Sequence, residues 1–362
     1  MRILHVTNAA GWSGGMKQML LLIGGLEKRG HENVLVCPPG CELIPRFAGS
    51  GTKIEILPMF QDYDLAAAWK LRGLIKKYSP DIVHSHHAIS HAIALLSLVF
   101  TKEPPLIVSR RVSFKPRKNP FSVWKYRSGR INKYSVVSRS VMETLAQSGV
   151  PRSIIEVIYS AVDPEEFKVD ASVVRDLRNE LDIPDGVPVV GKIANYSRWK
   201  GQHIFLQAAK ILLSKNIKVI FVLAGKGTET LEPMARKLGI AESVRLLGFR
   251  KDIPAILNML SVSVNSSIEG EGLSGAMRES LLLGIPVVAS DVSGNAEVVK
   301  NNETGFLVPV DDPYALAERI VYALENRHVS GDMAKKGREW VLKNATIDTM
   351  VENFIKLYSS LM

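Results

Sequence analysis

With 362 residues, 46% hydrophobic and 23% charged, the chain carries enough apolar material for two cores, which excludes a disordered polypeptide or one small module. A formal net charge of +10 favours an anionic partner. The opening "MRILHVTNAAG" holds only a four-residue apolar run, too short for a signal-peptide core or a spanning helix, so a cytoplasmic protein without a transmembrane segment is expected.

Short apolar runs alternate with helical patterns along the chain, the pattern of parallel sheets covered by helices. "ILHV" leads through "NAAGWSGG" to an apolar-periodic segment from Met16 to Lys28, closed by Gly30, and then to the strand "NVLVCP". "DIVHSHH", "PLIVS" and "YSVVS" are further strands. A second series begins near Val187 with "VPVVGKIA", followed by "KVIFVLAG", "SVRLLGF", "VSVNSS" and "IPVVASD". Two Rossmann-like halves are expected, joined in "SAVDPEEFKVD", where Pro164 and an acidic cluster interrupt the pattern. The last helical segment, about Asp348 to Leu361, has no strand after it and is expected to cross back onto the first half. This places residues 1–165 and 348–362 in one domain and 166–347 in the other.

The charge excess is local. Eleven basic residues (Lys102, Arg110, Arg111, Lys115, Arg117, Lys118, Lys125, Arg127, Arg130, Lys133 and Arg139) face one acid, Glu103, and the rest of the chain is balanced. Interleaved Phe114, Phe121, Trp124 and Tyr126 make residues 102–139 amphipathic, which suits an anionic membrane surface or an acidic acceptor. Nucleic acid is the rival partner, although no nucleic-acid module is recognisable. Cys37 and Cys41 in "CPPGC" lack a second ligand pair for zinc and are expected as free thiols.

The stretch "EGEGLSGAMRES" crowds carboxylates around a turn that opens a helix. Gly270 and Gly272 allow close backbone approach, and Ser274 is a suitable cap. Glu279 falls about five residues in, roughly 7 Å beyond the helix start, comparable with the distance from a pyrophosphate to its ribose. Phosphate suits the helix N–H groups and repels carboxylates, so ribose hydroxyls are the natural partners of Glu279. Alternatively, Glu271 and Glu279 are ordinary dipole and polar-face residues.

The Glu271 and Glu279 pair, with "EGLS" before the helix and "GIPVVASDVSGNAEVV" after it, resembles the nucleotide-sugar site of retaining GT-B glycosyltransferases of family four (glycosyl transferases group one). "GGMKQMLLLIGGLEKRGHENVLV", "SRWKGQHIFLQAA", "VIFVLAGKG", "VRLLGFRKDI" and "NETGFLVPVDDPYALAERI" resemble other stretches of that family, in the same order. The resemblance covers most of the chain and is more specific in its carboxy-terminal half. It implies an α/β fold of two Rossmann-like domains facing a deep cleft, with the carboxy-terminal helix crossing back.

It also implies roles for individual residues. Arg198 and Lys200 would grip the donor pyrophosphate, Glu271 would sit by the sugar and phosphates, and the backbone of Gly272, Leu273 and Ser274 would meet the pyrophosphate. Glu279 would hold the ribose, and Phe249 and Arg250 would border the base. Ala194 and Asn195 stand where many relatives carry glycine and arginine, so Arg198 is expected to replace that cation beside Asn195. Gly14 and Gly15 would begin a helix at the cleft, with Gly15 near the donor. Arg110 and Arg111 occupy the place of a histidine in relatives and, with His86 and His87, are the acceptor candidates; His84 and His91 lie nearby.

No metal is expected, because no DxD pair appears and "VDDP" at Asp311 and Asp312 reads as a helix start. No cofactor is expected beyond the donor substrate, for which a UDP-sugar is the first choice. The resulting expectation is a retaining, metal-independent transferase acting on an anionic, membrane-associated glycan such as lipopolysaccharide core or surface polysaccharide, in peripheral contact with the membrane's inner face. A nucleotide-sugar epimerase and a non-catalytic sugar-nucleotide or nucleic-acid binder are the alternatives. A dehydrogenase is disfavoured, because "NAAGWSGG" is not GxGxxG.

Overall fold

The computed structural model describes all 362 residues, which divide into two compact units, Met1–Ala161 with Ile347–Met362, and Val162–Thr346. The first unit runs β1 (Arg2–Val6), α1 (Gly14–Glu27), β2 (Glu32–Cys37), β3 (Lys53–Ile56), α2 (Leu65–Tyr78), β4 (Ile82–Ser85), α3 (Ala88–Leu98), β5 (Leu106–Arg110), α4 (Pro120–Arg127), β6 (Lys133–Val136), α5 (Arg139–Gln147) and β7 (Ile155–Val157). Its seven strands are all parallel, in the order β3-β2-β1-β4-β5-β6-β7. The chain direction along the sheet reverses between β1 and β4, and ligands of such sheets bind at the carboxyl ends of the strands flanking that point.

The second unit continues with α6 (Ala171–Glu180), β8 (Val189–Ile193), α7 (Gln202–Ser214), β9 (Ile220–Ala224), α8 (Glu232–Leu238), β10 (Val244–Leu246), α9 (Ile253–Asn258), β11 (Val262–Asn265), α10 (Gly275–Leu282), β12 (Val287–Ser290), α11 (Asn295–Val298), β13 (Phe306–Val308), α12 (Pro313–Glu325) and α13 (Arg327–Asn344). Its six parallel strands follow the same plan, β10-β9-β8-β11-β12-β13, with the reversal between β8 and β11. The second core is built from Phe205, Leu212, Phe221, Val262, Phe306 and Ile320, fully buried along α7, α12 and the strands between them. Asp312 caps α12 through the amides of Tyr314 and Ala315, with Pro313 at the first helical position, so "VDDP" is a helix start.

Three strands have no counterpart among the runs singled out in the sequence: β3, β7 and β13. Each is three or four residues long and lies at a sheet edge, where one neighbour suffices and the apolar run is correspondingly brief. The unit boundary falls at Ala161, where the sequence pattern places it at residue 165. Val162 donates to the Ala345 carbonyl (2.8 Å) and bridges Thr346, so the chain already belongs to the second unit before Pro164.

The last helix, α14 (Ile347–Ser359), returns to the first unit, and Met350, Val351, Phe354, Leu357 and Tyr358 join Ile3, Leu22 and Leu26 in its core. Its seat is close: a Cβ on Gly25 of α1 would lie 2.4 Å from Val351 Cγ2. Gln18 closes the same corner by accepting from the Ala161 amide (2.6 Å) and donating to its carbonyl (2.8 Å). Gly25→Ala is therefore expected to destabilise the first unit by about 1–3 kcal/mol, the usual cost of overpacking. Urea unfolding followed by α14-sensitive fluorescence should show this loss, and Val351→Ala in the same chain should restore most of it.

Candidate functional site

In the second unit the loop after β8 interlocks with the loop after β11. Gly201, at φ 66°, passes so close to the second loop that a Cβ would stand 1.9 Å from the Ser266 carbonyl oxygen; no other residue fits there. Ser266 Oγ donates to the Gly201 carbonyl (2.7 Å), and the Ile268 amide donates to the Trp199 carbonyl (2.8 Å). This interlock carries Lys200 to Glu271. The ammonium donates to Glu271 Oε2 (2.6 Å), and Ser267 Oγ donates to the same oxygen (2.9 Å). Glu271 is buried, so the ion pair answers the cost of an isolated interior carboxylate and also fixes the ammonium's position.

Gly272, Leu273 and Ser274 are buried in the turn that enters α10, and Ser274 Oγ caps the helix by accepting from the Met277 amide. Glu279 is the fifth residue of α10 and is partly exposed. The helix is held from two sides. Ser280 Oγ donates to Ser263 Oγ of β11 (2.7 Å), and Gly337 of α13 lies where a Cβ would meet Leu281 at 2.6 Å. A small cavity at this end of the sheet is lined by Lys192, Ala194, Lys200, Ser267, Ser274 and Met277.

Lys192 was not singled out in the sequence. The signal was there, a lysine inside the otherwise apolar strand "VPVVGKIA". Its side chain is buried on β8, and burial first, then repulsion by Lys200, lower its pKa to about 7 against the pull of Glu271. Arg198 is exposed in the single 3₁₀ turn before Gly201. Asn195 Oδ1 accepts from the Lys226 amide (2.9 Å), a structural contact that ties the β8 and β9 loops. Phe249 is exposed, whereas Arg250 is clamped by Asp252 (2.8 and 2.6 Å) and Glu180 (2.7 Å), and its guanidinium serves the fold beside Phe249.

In the first unit, Gly15 is the second residue of α1, and a Cβ there would lie 3.3 Å from His87 Nε2 and 3.9 Å from Arg111 Cδ. Arg111 follows β5 and donates to the His86 carbonyl (3.0 Å) and to His86 Nδ1 (3.1 Å). The rest of the proton order follows for neutral rings: His86 Nε2–H donates to His5 Nδ1 (3.0 Å), and His5 Nε2–H donates to Asn33 Oδ1 (3.1 Å). Burial lowers the pKa of His5 and His87 to about 4 and those of His84 and His86 well below the usual imidazole range.

His5, His84 and His86 bring ligand-type atoms within 4.8 Å of one another. Every ring nitrogen among them nonetheless has a protein partner, His84 bonding Tyr358 Oη and Ser109 Oγ (both 2.8 Å), and Arg111 adds a positive charge beside the group. His86 is thus an interior strut, with both ring nitrogens already engaged within the unit. His91 is likewise buried, edge-on to Tyr126 and Tyr134. Arg110 is held by Tyr126 Oη (2.6 Å) and the Phe114 carbonyl. His87 and Arg111 are the two acceptor candidates left near Gly15.

The basic segment 102–139 is also redistributed. Lys125 is buried on Asp62 (2.9 Å), Arg130 donates to the Leu98 and Pro104 carbonyls, Arg127 to the Ser148 carbonyl and Lys133 to the Ser153 carbonyl. Lys102, Lys115, Arg117 and Lys118 remain exposed. Cys37 and Cys41 are free and buried.

Because burial lowers the Lys192 pKa to about 7, stability gained from it appears as pH rises from about 7 towards the unfolded value of 10.5, where only the unfolded chain still binds the proton. Lys192→Met should therefore raise the thermal midpoint at pH 6 to 7, by the equivalent of about 1–3 kcal/mol. The gain should shrink steadily above that range in a scanning calorimetry series.

Residues 12–166 match Glycosyltransferase Family 4, and residues 173–340 match Glycosyl transferases group 1. The chain is 25% identical over 309 residues to N-acetyl-alpha-D-glucosaminyl L-malate synthase of Bacillus anthracis, spanning 83% of this chain and 80% of that protein. In structure it is similar to a glycosyltransferase from Rickettsia africae, with a TM-score of 0.90 at 20% identity over 99% of this chain and 98% of that one. It is also similar to Anabaena HepE in complex with UDP, with a TM-score of 0.87 at 20% identity over 99% and 100% of the two chains. With a family 4 half followed by a group 1 half on two Rossmann-like sheets, the chain belongs to the GT-B glycosyltransferases.

Proposed function

We propose that this glycosyltransferase moves a sugar from a nucleoside diphosphate donor, a UDP-sugar first of all, to a hydroxyl of an anionic, membrane-associated glycan such as lipopolysaccharide core or surface polysaccharide. Transfer retains the anomeric configuration and needs no metal ion. The observation that carries the proposal is the Lys200–Glu271 pair set beside buried Lys192 at the start of α10. Departure of the nucleoside diphosphate builds negative charge on its terminal phosphate, and fixed ammonium groups with helix N–H donors stabilise that charge most in the transition state. Arg198, on the adjoining turn, adds an exposed cation. Glu279, one helical turn further on, suits the ribose hydroxyls, and the likeness to a UDP-bound fold supports uridine as the base.

Glu271 Oε2 is engaged by the Lys200 ammonium and the Ser267 hydroxyl, and its role in the proposal is to hold Lys200 in place. The reaction is written on one face of the sugar: the bond from C1 to the phosphate oxygen breaks, the acceptor oxygen bonds C1, and its proton passes to the departing phosphate. For the acceptor, Arg111 is the telling residue. Its guanidinium has the His86 carbonyl and Nδ1 as partners and lies beside Gly15 at the start of α1, so a phosphate or carboxylate would complete its charge balance. The Bacillus anthracis relative, whose name joins a glucosaminyl group to L-malate, fits an acidic acceptor.

A thermal-shift screen of UDP, GDP and ADP with their sugars should show stabilisation by the uridine series, undiminished by EDTA. Glu279→Ala should weaken nucleotide affinity by about 1–3 kcal/mol, the range for hydrogen bonds to a charged group. NMR of the product should show the donor's anomeric configuration; a trapped glycosyl-enzyme in the mass spectrum would overturn the one-face mechanism.

A further inference from the structure

The turn before α2 and the first turns of that helix present four large apolar side chains to solvent: Phe60 (81% exposed), Tyr63 (64%), Leu65 (69%) and Trp69 (76%). Single exposed apolar residues are ordinary, but four within ten positions form a patch. The display is built and not frayed. Asp64 caps α2 through the Ala67 amide (2.9 Å) and also accepts from the Phe60 amide (3.4 Å), which fixes the turn that carries the aromatic rings.

The patch continues onto α4. Tyr63 meets Phe121 edge-on with centroids 6.3 Å apart, Phe121 packs on Trp124 at 5.4 Å, and the pairing of buried Lys125 with Asp62 locks the two segments together. The loop leading into α4 adds exposed Lys115, Arg117 and Lys118. Along α2, "LAAAWKLRGLIKKY" holds four basic residues and no acid. Exposed aromatic rings with cations on the adjoining loop and helix match an interface of acyl chains and anionic headgroups. Nucleic acid would favour the cations and leave Phe60, Leu65 and Trp69 without a role.

We propose that the face formed by Phe60, Tyr63, Leu65 and Trp69, together with Lys115, Arg117 and Lys118, docks the chain on an anionic lipid bilayer. This rests on the proposed membrane-associated acceptor and moves the contact from the whole of residues 102–139 to two segments that only the fold brings together. No helix of the chain is long and apolar enough to cross a membrane, so the attachment is peripheral.

The test is co-sedimentation of the full chain with phosphatidylcholine vesicles, with and without phosphatidylglycerol, at low and high salt. The wild-type chain should bind the anionic vesicles and be released by salt. Replacing Lys115, Arg117 and Lys118 by alanine should weaken partitioning roughly a hundredfold, since each cation at an anionic surface contributes about 1 kcal/mol. Phe60→Ser with Trp69→Ser should weaken it by about tenfold or more.

Unchanged thermal unfolding and an unchanged UDP-induced shift would show both variants folded. Equal binding to neutral vesicles, or no loss in either variant, overturns the proposal. Light scattering that shows a dimer abolished by the Phe60 and Trp69 changes overturns it in favour of a second copy on this face. A UDP response without vesicle binding sinks this inference alone, whereas vesicle binding without any nucleotide response sinks the transferase proposal instead.

Discussion

An interior carboxylate must be paired, and in the second unit that requirement organises the site. Glu271 lies below the surface and is answered by Lys200 and Ser267; Lys200 reaches it only because Gly201 lets two loops touch where any side chain would collide with the Ser266 carbonyl. The ammonium is consequently held before any ligand arrives. Lys192, a second amine brought in by β8, is destabilised in its charged form by burial and by Lys200. Rigid placement of cations and a helix start at one end of a parallel sheet is the electrostatic preorganisation that departure of a diphosphate calls for.

The first unit meets a similar constraint by other means. Its sheet centre contains His5, His84 and His86, groups that burial drives to the neutral form, and their nitrogens are satisfied by one another, by Asn33, Ser109 and Tyr358, and by Arg111. Tyr358 belongs to α14, so the polar interior of this unit is complete only when the carboxy-terminal helix is in place. Arg111, the cation that bonds this histidine group, takes only the neutral His86 carbonyl and Nδ1 as partners, and its side chain stands next to Gly15 in the first turn of α1.

The distribution of positive charge shows how tertiary structure reassigns residues that look alike in the sequence. Eleven basic residues cluster between Lys102 and Arg139, yet six of them, Arg110, Arg111, Lys125, Arg127, Arg130 and Lys133, bind the unit's own carbonyls, hydroxyls and one aspartate. The contacts Tyr63–Phe121 and Lys125–Asp62 then join this stretch to a segment about 60 positions earlier, a neighbourhood that local composition does not reveal.

The sequence by itself determined the alternation of strands and helices, the duplicated Rossmann-like plan, the return of the last helix and the capped turn around Glu271, because these depend on periodicity, capping chemistry and glycine placement within a short span. Only the tertiary structure decided that Lys200 pairs with Glu271, that Lys192 stands beside them, that His86 is a strut while His87 and Arg111 border Gly15, and that Arg250 is committed to Asp252 and Glu180. It also supplied the edge strands β3, β7 and β13. The physical reason is common to all of these: burial and pairing are properties of separations in space, and a charged or imidazole side chain reveals its role only once the groups that desolvate or neutralise it have been brought next to it.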